Sequence, residues 1–493
     1  MLKQLKQLSA QSAIYGLGSI FNTVLGFVLI PLYTRYLSPA DYGVYSLMVI
    51  IAQVATTVAA MGMASAMFRE VIYHEADETE VISTTINFLV IEALVFFVAL
   101  MVIAPQLAGT LLGSEEYTTL VRLLFVGSLL SMTDLVVMAA LRIRTQPALY
   151  STLVVTKFAA GIFFNILFIV VLQQGLAGLI YTRLAQGILS TTINVVILSR
   201  NWHPRISWTI LRRMLNYGVP IMPVAIASIA LTSSDRYFLQ HYASNTEVGI
   251  YSLGYKLGMV VSMMVSAINL AWGAQLFVIA KQPNAELKYS RILTYYLAAL
   301  GFVGLVISVL SREALHILTS PAYYDAYTVV PLIVLSYIFF GAMYMTNIAL
   351  PVQGRTKYNT PIVIGAAVLN LGINAVLIPP FGMMGAAVST VLSYLALLIV
   401  QAAVNLHFWY IPYEYGRIAR LGVAWAVIYG VSLLIQTPSP WLGGALKGVL
   451  LLLFPVLLYI LGFYSDEELK LIRRTAGKLL KRLPRRRAAD TVA

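Results

Sequence analysis

The chain has 493 residues, 59% of them hydrophobic and 11% charged, with a mean hydropathy of +0.82 and a formal net charge of +13. Soluble domains carry about 25% charged residues, so a chain this long with so little charge must present much of its surface to lipid. It contains no cysteine, which excludes disulfides, thiolate metal sites and a cysteine nucleophile and leaves the redox compartment undetermined.

The charges are clustered, and between them run apolar stretches of about 18–25 residues, each long enough to cross a hydrocarbon core of about 30 Å. Without water in that layer a segment must satisfy its own backbone, so the stretches predict helices. The short alternating strands of a membrane barrel are absent. In chain order the sequence predicts spans over 10–33, 42–64, 81–112 (over-long, hence tilted or kinked), 118–141, 149–172, 176–198 and 217–239. They continue over 248–272, 291–318, 327–350, 358–378, 384–406, 418–436 and 441–463. The expected fold is an all-α polytopic membrane protein of about fourteen transmembrane helices. The opening Met1-Leu-Lys-Gln-Leu-Lys6 runs into a full-length apolar segment, which reads as a retained first span rather than a cleaved signal peptide.

Alternating the loops from an inside N-terminus places most of the 33 Lys and Arg residues on one side, from Lys3 and Lys6 through Arg417 and Arg420 to the basic tail. Only Arg35, Arg122, Arg236 and Arg312 fall on the other side, and Lys157, Arg183, Lys256 and Lys447 fall within spans. By the positive-inside rule both termini are cytoplasmic. This placement accounts for the basic balance without a nucleic-acid partner. The tail, 464–493, reads as an amphipathic cationic helix ending at Leu483-Pro484 and an Arg run, an anchor against anionic lipid or a partner-docking segment.

An internal repeat organises the chain. Residues 36–47 align with 242–253 at an offset of 206: Tyr36/Tyr242, Ser38/Ser244, Gly43/Gly249, Tyr45/Tyr251, Ser46/Ser252 and Leu47/Leu253 are identical, and Asp41 faces Glu247. Gly175 and Gly178 match Gly382 and Gly385, Asn165 matches Asn374, and Arg144-Thr145 matches Arg355-Thr356 at offsets of 207 to 211. An offset of six spans preserves orientation, so the halves form two six-helix bundles in parallel repeat with two C-terminal helices appended. The division reads 1–205, 206–410, 411–463 and 464–493. A cleft between two such bundles suits alternating access.

These stretches also resemble the polysaccharide (O-antigen and related) flippase family of the multidrug/oligosaccharidyl-lipid/polysaccharide exporter superfamily. The resemblance is carried by Thr34-Arg35-Tyr36-Leu37-Ser38-Pro39-Ala40-Asp41-Tyr42-Gly43, by Tyr217-Gly218-Val219-Pro220, and by Asp235-Arg236-Tyr237 with Gly249-Ile250-Tyr251. Asn370 and Asn374, with the run Ile378-Pro379-Pro380-Phe381-Gly382, complete it. It implies flipping of an isoprenoid-diphosphate-linked oligosaccharide, an anionic substrate, from the cytoplasmic to the outer leaflet of a bacterial inner membrane. It implies no catalytic chemistry and no cofactor, and it places the polysaccharide-assembly machinery among the partners.

Charged groups within a bilayer are expensive and usually face a bundle interior. Arg183, Lys256 and Lys157 would line the cleft and neutralise a diphosphate, for which the guanidinium fork of Arg is well suited. Alternatively, each pairs with a carboxylate such as Glu92 or Asp134 and only fixes packing. Asp134 and Glu92 are also candidates for taking up a coupling proton or sodium ion. Asp235 and Arg236, at the end of a span, read as an interfacial gate or as a pair that pins the helix end. Lys447, near a span end, reads as a structural residue that snorkels. Asn165, Asn370 and Asn374 suit bonds between helices or to sugar hydroxyls. Pro220 and Pro223 break the backbone ladder of their span, as a hinge or a static kink. The five histidines show no metal-ligand spacing, and no phosphate-binding loop motif is present, so ATP hydrolysis is not expected. Two other functions compete: an ion-coupled drug or metabolite antiporter, which would favour an acidic cavity, and a membrane glycosyltransferase or polymerase, which would need a sizeable polar loop or an acidic catalytic cluster outside the spans.

Overall fold

The structure is a computed structural model that describes residues 27–199 and 202–470. All regular elements among these residues are helices. The first half contains α1 (Ile30–Tyr36), α2 (Pro39–Ala60), α3 (Met63–Phe68), α4 (Glu78–Leu112), α5 (Thr118–Leu130), α6 (Thr133–Ile143), α7 (Pro147–Asn165) and α8 (Gly175–Leu198). The second half contains α9 (Trp208–Gly218), α10 (Met222–Tyr242), α11 (Asn245–Gly258), α12 (Val260–Ala280), α13 (Ala285–Leu318), α14 (Val330–Thr346), α15 (Ala349–Val352) and α16 (Asn359–Phe408). Helices α17 (Tyr415–Leu434), α18 (Pro440–Leu452) and α19 (Phe454–Ile460) follow. Eleven helical runs among the described residues are long and apolar enough to cross a membrane, against the expected count of about fourteen spans. Most of the expected span 10–33, and the tail beyond 470, lie outside the described residues. Helix α8 is 24 residues long but too polar to be among the eleven, because it carries Arg183, Gln186, Ser190 and Asn194.

Two expected spans, 358–378 and 384–406, appear as one 50-residue helical run interrupted at Gly382, whose φ of 52° and ψ of −133° are not helical. In a straight helix residues 370 and 393 would stand about 34 Å apart. Yet Asn370 donates to Ser393 at 3.0 Å, and Gln401 donates to Asn359 at 3.0 Å. The run therefore reverses at Gly382 into two antiparallel arms. A positive φ suits glycine there, and Glu247 accepts the backbone N–H of Met383 at 3.2 Å, tying the reversal to α11.

The span expected over 217–239 begins earlier, with α9, and bends through a 3-10 turn over Val219–Ile221 before α10. Pro220 cannot donate to the ladder at that point. Helix α9 packs on α3 of the first half, and α10 packs on α16.

The first-half helix α2 and the second-half helix α11 meet through the repeat itself. Ser38 caps α2 in a reciprocal capping box with Asp41, and Ser244 caps α11 by accepting from the N–H of Glu247. One turn inside, a Cβ on Gly43 would lie 1.9 Å from the Asn245 carbonyl oxygen, and one on Gly249 1.9 Å from that of Pro39. Only hydrogen fits at either position. The next repeat-related pair, Ser46 and Ser252, stands Oγ to Oγ at 2.8 Å. The backbones of α2 and α11 are thus in direct contact across the junction of the two halves.

Lys447 does not snorkel. Its side chain is 6% exposed and its Nζ lies 2.7 Å from Glu313 Oε1 on α13. A short tether to a buried carboxylate costs less than drawing the ammonium outward through packed helices, and the pair fastens α18 to α13. At the other end of α17, Arg417 binds Glu468 and Glu414 and donates to the Phe463 carbonyl. This holds the start of the tail against the bundle.

Candidate functional site

Helix α8 sets up the polar interior of the first half. Arg183, Gln186, Ser190 and Asn194 recur at helical spacing and share one face. Gly187 on that helix lets α8 approach α5 closely: a Cβ there would fall 2.5 Å from the Gly127 carbonyl oxygen. Beside this contact a cavity of about 300 Å³ is lined by Gln53, Thr56, Ser128, Ser131, Arg183 and Gln186 among others. Arg183 is exposed into this space in mid-helix, and its Nε donates to Tyr45 Oη at 3.3 Å.

Lys256, on α11, is half-buried, with its Nζ 5.3 Å from the ring centroids of both Tyr33 and Tyr42. Ring faces attract an ammonium by their quadrupole without neutralising it. Tyr33 is fixed by donating to Asn165 at 2.9 Å, and Tyr42 by an edge contact with Tyr323. Arg183 and Lys256 are therefore gathered around one tyrosine group, Tyr33, Tyr42 and Tyr45. Neither forms a salt bridge among the described residues. Two uncompensated cations with phenolic donors between them are suited to an anion with several oxygens.

Lys157 is placed elsewhere. Its Nζ lies 2.6 Å from Asp134 Oδ1, which also accepts from Ser190 and Asn194, each at 2.5 Å. Of the two uses weighed for these residues, the paired one is present. Glu92, half-buried on α4, has no cation beside it among the described residues, and its Oε2 has no hydrogen-bond partner. Asp235 and Arg236 are buried within α10 rather than at its end. They pair at 3.6 Å, and Asp235 accepts from Tyr251 Oη at 2.5 Å. Arg236 lies over the Tyr255 ring at 4.4 Å and donates to Ser252 at 3.1 Å. Ser252 is the residue that meets Ser46, so this ion pair connects directly to the α2–α11 seam. The repeat-equivalent tyrosines Tyr45 and Tyr251 each bond to a charged side chain, Arg183 in one half and the buried Asp235 in the other. Asn370 and Asn374 bond to Ser234 across helices, as packing residues do.

Sequence reasoning missed the tyrosine group and the second role of Ser46 and Ser252. The 30 tyrosines of the chain were a signal in composition, but which of them surround a cation depends on how the two halves pack. Among the described residues no three of His, Cys, Asp and Glu are grouped to hold a metal ion.

A family model described as polysaccharide biosynthesis protein matches residues 8–272, more than half of the chain. The chain belongs to this polysaccharide biosynthesis family. A curated relative, an uncharacterized membrane protein of Methanocaldococcus jannaschii, is 23% identical over 292 residues. The alignment covers 55% of each protein, so the chain spans about half the length of that relative. Among solved structures, a lipid II flippase MurJ in an inward closed conformation matches with a TM-score of 0.68 at 15% identity, covering 91% of this chain and 99% of that one. An inward-facing multidrug resistance transporter of the MATE family and MOP superfamily matches with a TM-score of 0.57 at 17% identity, covering 81% and 96%. This member of the polysaccharide biosynthesis family is thus a multi-pass helical membrane protein with the fold shared by MOP-superfamily transporters.

Proposed function

We propose that this protein moves an isoprenoid-diphosphate-linked oligosaccharide from the cytoplasmic to the outer leaflet, by alternating access, for surface polysaccharide biosynthesis. The observation that carries the reading is the pair of uncompensated cations, Arg183 and Lys256, from opposite halves of the chain around one tyrosine group. A diphosphate supplies the charge that this group lacks. Family membership and the likeness to a lipid II flippase support the same substrate class.

In this reading both termini are cytoplasmic, the membrane is the bacterial inner membrane, and 1–205 and 206–410 are the two moving bundles. The segment 411–463 is appended to the second bundle, and 464–493 is its basic tail. Asp235 and Arg236 act as a gate, because Arg236 donates to Ser252 of the serine pair at the seam. Glu92 and Asp134 are the carboxylates open to a coupling ion, and Lys157 reaches substrate only when its pair with Asp134 opens. The glycan, the isoprenoid carrier and the assembly partners follow from this reading and from no contact among the described residues. A cationic-drug antiporter would share the fold, but two unpaired cations disfavour a cationic cargo.

The test replaces Arg183 and Lys256 with Ala, singly and together, in a strain lacking its own transporter. Surface glycan should fall by about tenfold or more at normal protein level, the loss expected when charge-assisted bonds of about 1.5–3 kcal/mol each disappear. Undiminished glycan in the double variant would remove both residues from the mechanism.

A further inference from the structure

The run Tyr217-Gly218-Val219-Pro220 lies near the start of the second half and takes no part in the cationic chamber. We propose that it marks a hinge, and that α9 is a strap which moves with the first half although the repeat assigns it to the second. The proposal rests on the alternating-access reading and redefines which bodies move.

The packing of α9 carries it. Ile210, Leu211 and Met214 are buried. Ile210 and Met214 share a core with Met63, Met67, Val81 and Ile82, and every member of that core outside α9 lies between residues 59 and 198. The larger core that joins the two halves contains no buried residue of α9. Polar contacts point the same way. Arg213 Nη2 lies 2.9 Å from Glu70 Oε2, a carboxylate only 1% exposed, and the Arg69 guanidinium stands over the Tyr217 ring at 4.7 Å. Withdrawing Arg213 would strand a buried carboxylate, so this pair resists separation. A Cβ on Gly218 would lie 2.2 Å from the Met61 carbonyl oxygen. The end of α9 therefore meets the end of α2 backbone to backbone.

The chain that leads into α9 is fastened to the first half as well. The His203 N–H donates to Ser83 and the Ser207 N–H to Thr84, each at 3.1 Å. Asn87 donates to the carbonyls of His203 and Arg205 and accepts from Trp202 Nε1. A connector between two moving bodies is expected to be exposed and crossed by few contacts. This one is bonded to α4 at residues 202 to 207.

The freedom comes immediately after α9. Pro220 and Pro223 have no N–H, so the carbonyls of Asn216 and Val219 lack the donors that a continuous helix would bring. The chain passes this point as the 3-10 turn Val219–Ile221. Beyond it, α10 packs on α16 of the second half. Contact thus changes from one half to the other within a few residues at a helix end, where hinges absorb rotation. Helix α2 touches the second half of the sequence at both ends, through Gly43 with Gly249 and through Gly62 with Gly218. Only the Gly43–Gly249 contact joins bodies that separate. The Gly62–Gly218 contact stays shut and serves as the fulcrum on which α10 swings.

The test uses the full-length protein in proteoliposomes with a polyprenyl-diphosphate oligosaccharide. The chain has no cysteine, so paired substitutions report without background. A Thr84→Cys, Ser207→Cys disulfide ties α9 to α4 and should leave the transport rate within about twofold of the reduced form. A Ser46→Cys, Ser252→Cys disulfide across the seam should lower it at least fivefold. Nitroxides on Glu80→Cys with Arg212→Cys should keep one narrow distance with and without substrate, whereas Arg212→Cys with Lys357→Cys should show at least two. Transport blocked by the 84–207 disulfide, or a variable 80–212 distance beside a fixed 212–357 distance, would overturn the strap. A single distance for both pairs in a protein that transports would overturn the hinge. If the expected distances are found but the unaltered protein moves no glycolipid, the flippase reading fails and the strap stands.

Discussion

Replacing Gly249 by Ala perturbs the seam where the two halves touch. The new Cβ would lie 1.9 Å from the Pro39 carbonyl oxygen, while ordinary contact begins at 3.4 Å, and Gly43 poses the same problem against Asn245. Both obstacles are backbone atoms within capped helices, so neither can rotate aside, and α2 and α11 must separate by about 1.5 Å. Overpacking of this kind costs about 1–3 kcal/mol. Because the cost falls only on the state in which the seam is shut, the closed-to-open ratio should drop by about 5- to 150-fold. The chain has no native cysteine, so a Ser46→Cys, Ser252→Cys pair reports the seam without background. The native hydroxyls stand 2.8 Å apart, close enough for a disulfide after a small adjustment. That pair should cross-link rapidly under mild oxidation, block transport, and release it on reduction. Adding Gly249→Ala should slow the cross-link by at least fivefold. If the cross-link forms equally fast in both backgrounds, the seam is not a close-packed glycine contact and the reasoning is wrong.

Other perturbations test separate parts of the account. Lys447→Ala strands the buried Glu313 carboxylate and should cost about 3–5 kcal/mol, whereas Lys447→Met with Glu313→Leu should be nearly neutral; thermal unfolding in detergent distinguishes them, and equal melting temperatures for all three proteins would contradict the buried pairing. Asp134→Asn leaves Lys157 without its carboxylate and should lower stability by less than the Lys447 change, because these side chains are 31% and 20% exposed, and Lys157→Met in the same protein should restore it. Gly382→Ala forces a positive φ on a side chain that would also lie 2.6 Å from the Glu247 carboxylate, so a loss of about 1–3 kcal/mol is expected in chemical unfolding. Glu468 reports acid sensitivity outside the membrane. Partial burial pushes its carboxyl up, but bonds from Tyr295, the Ser465 N–H and Arg417 outweigh that and hold it below the usual carboxylate range. A depressed folded pKa stabilises the tail latch above the unfolded value of about 4.3, and that stabilisation is lost as pH falls through the folded pKa. Proteolysis near 463–470 should therefore rise on acidification in the unaltered protein and be insensitive to pH in Glu468→Gln.

What was legible in the sequence was whatever depends on local pattern. Charge-free runs located most of the helices, and the repeat pointed to Gly43, Gly249, Ser46 and Ser252 before any contact between them was known. The reversal at Gly382 was anticipated only as a gap between two spans, although Pro379-Pro380-Phe381-Gly382 contains the residues that make it. Contacts between segments distant in sequence were not legible. Nothing local to Lys447 indicates Glu313 on another helix, and its position near a span end suggested solvent instead. Asp235 and Arg236 read as a pair at the end of a span, yet tyrosines from α11 enclose both charges. Of the candidate cations, Lys157 differs from Arg183 and Lys256 in being paired with Asp134 on the preceding helix, and nothing local to its own span indicates that partner. The tyrosine group was invisible for a related reason: its members become a site only when α1, α2 and α11 converge.

The most direct test of the central claim is transport by the purified full-length protein in proteoliposomes. A polyprenyl-diphosphate oligosaccharide with a fluorescent sugar should move between leaflets, read as label becoming accessible to an impermeant quencher, and Arg183→Ala with Lys256→Ala should slow it by at least tenfold. Rapid exchange of a cationic dye that ignores both substitutions, with no movement of the glycolipid, would contradict the account.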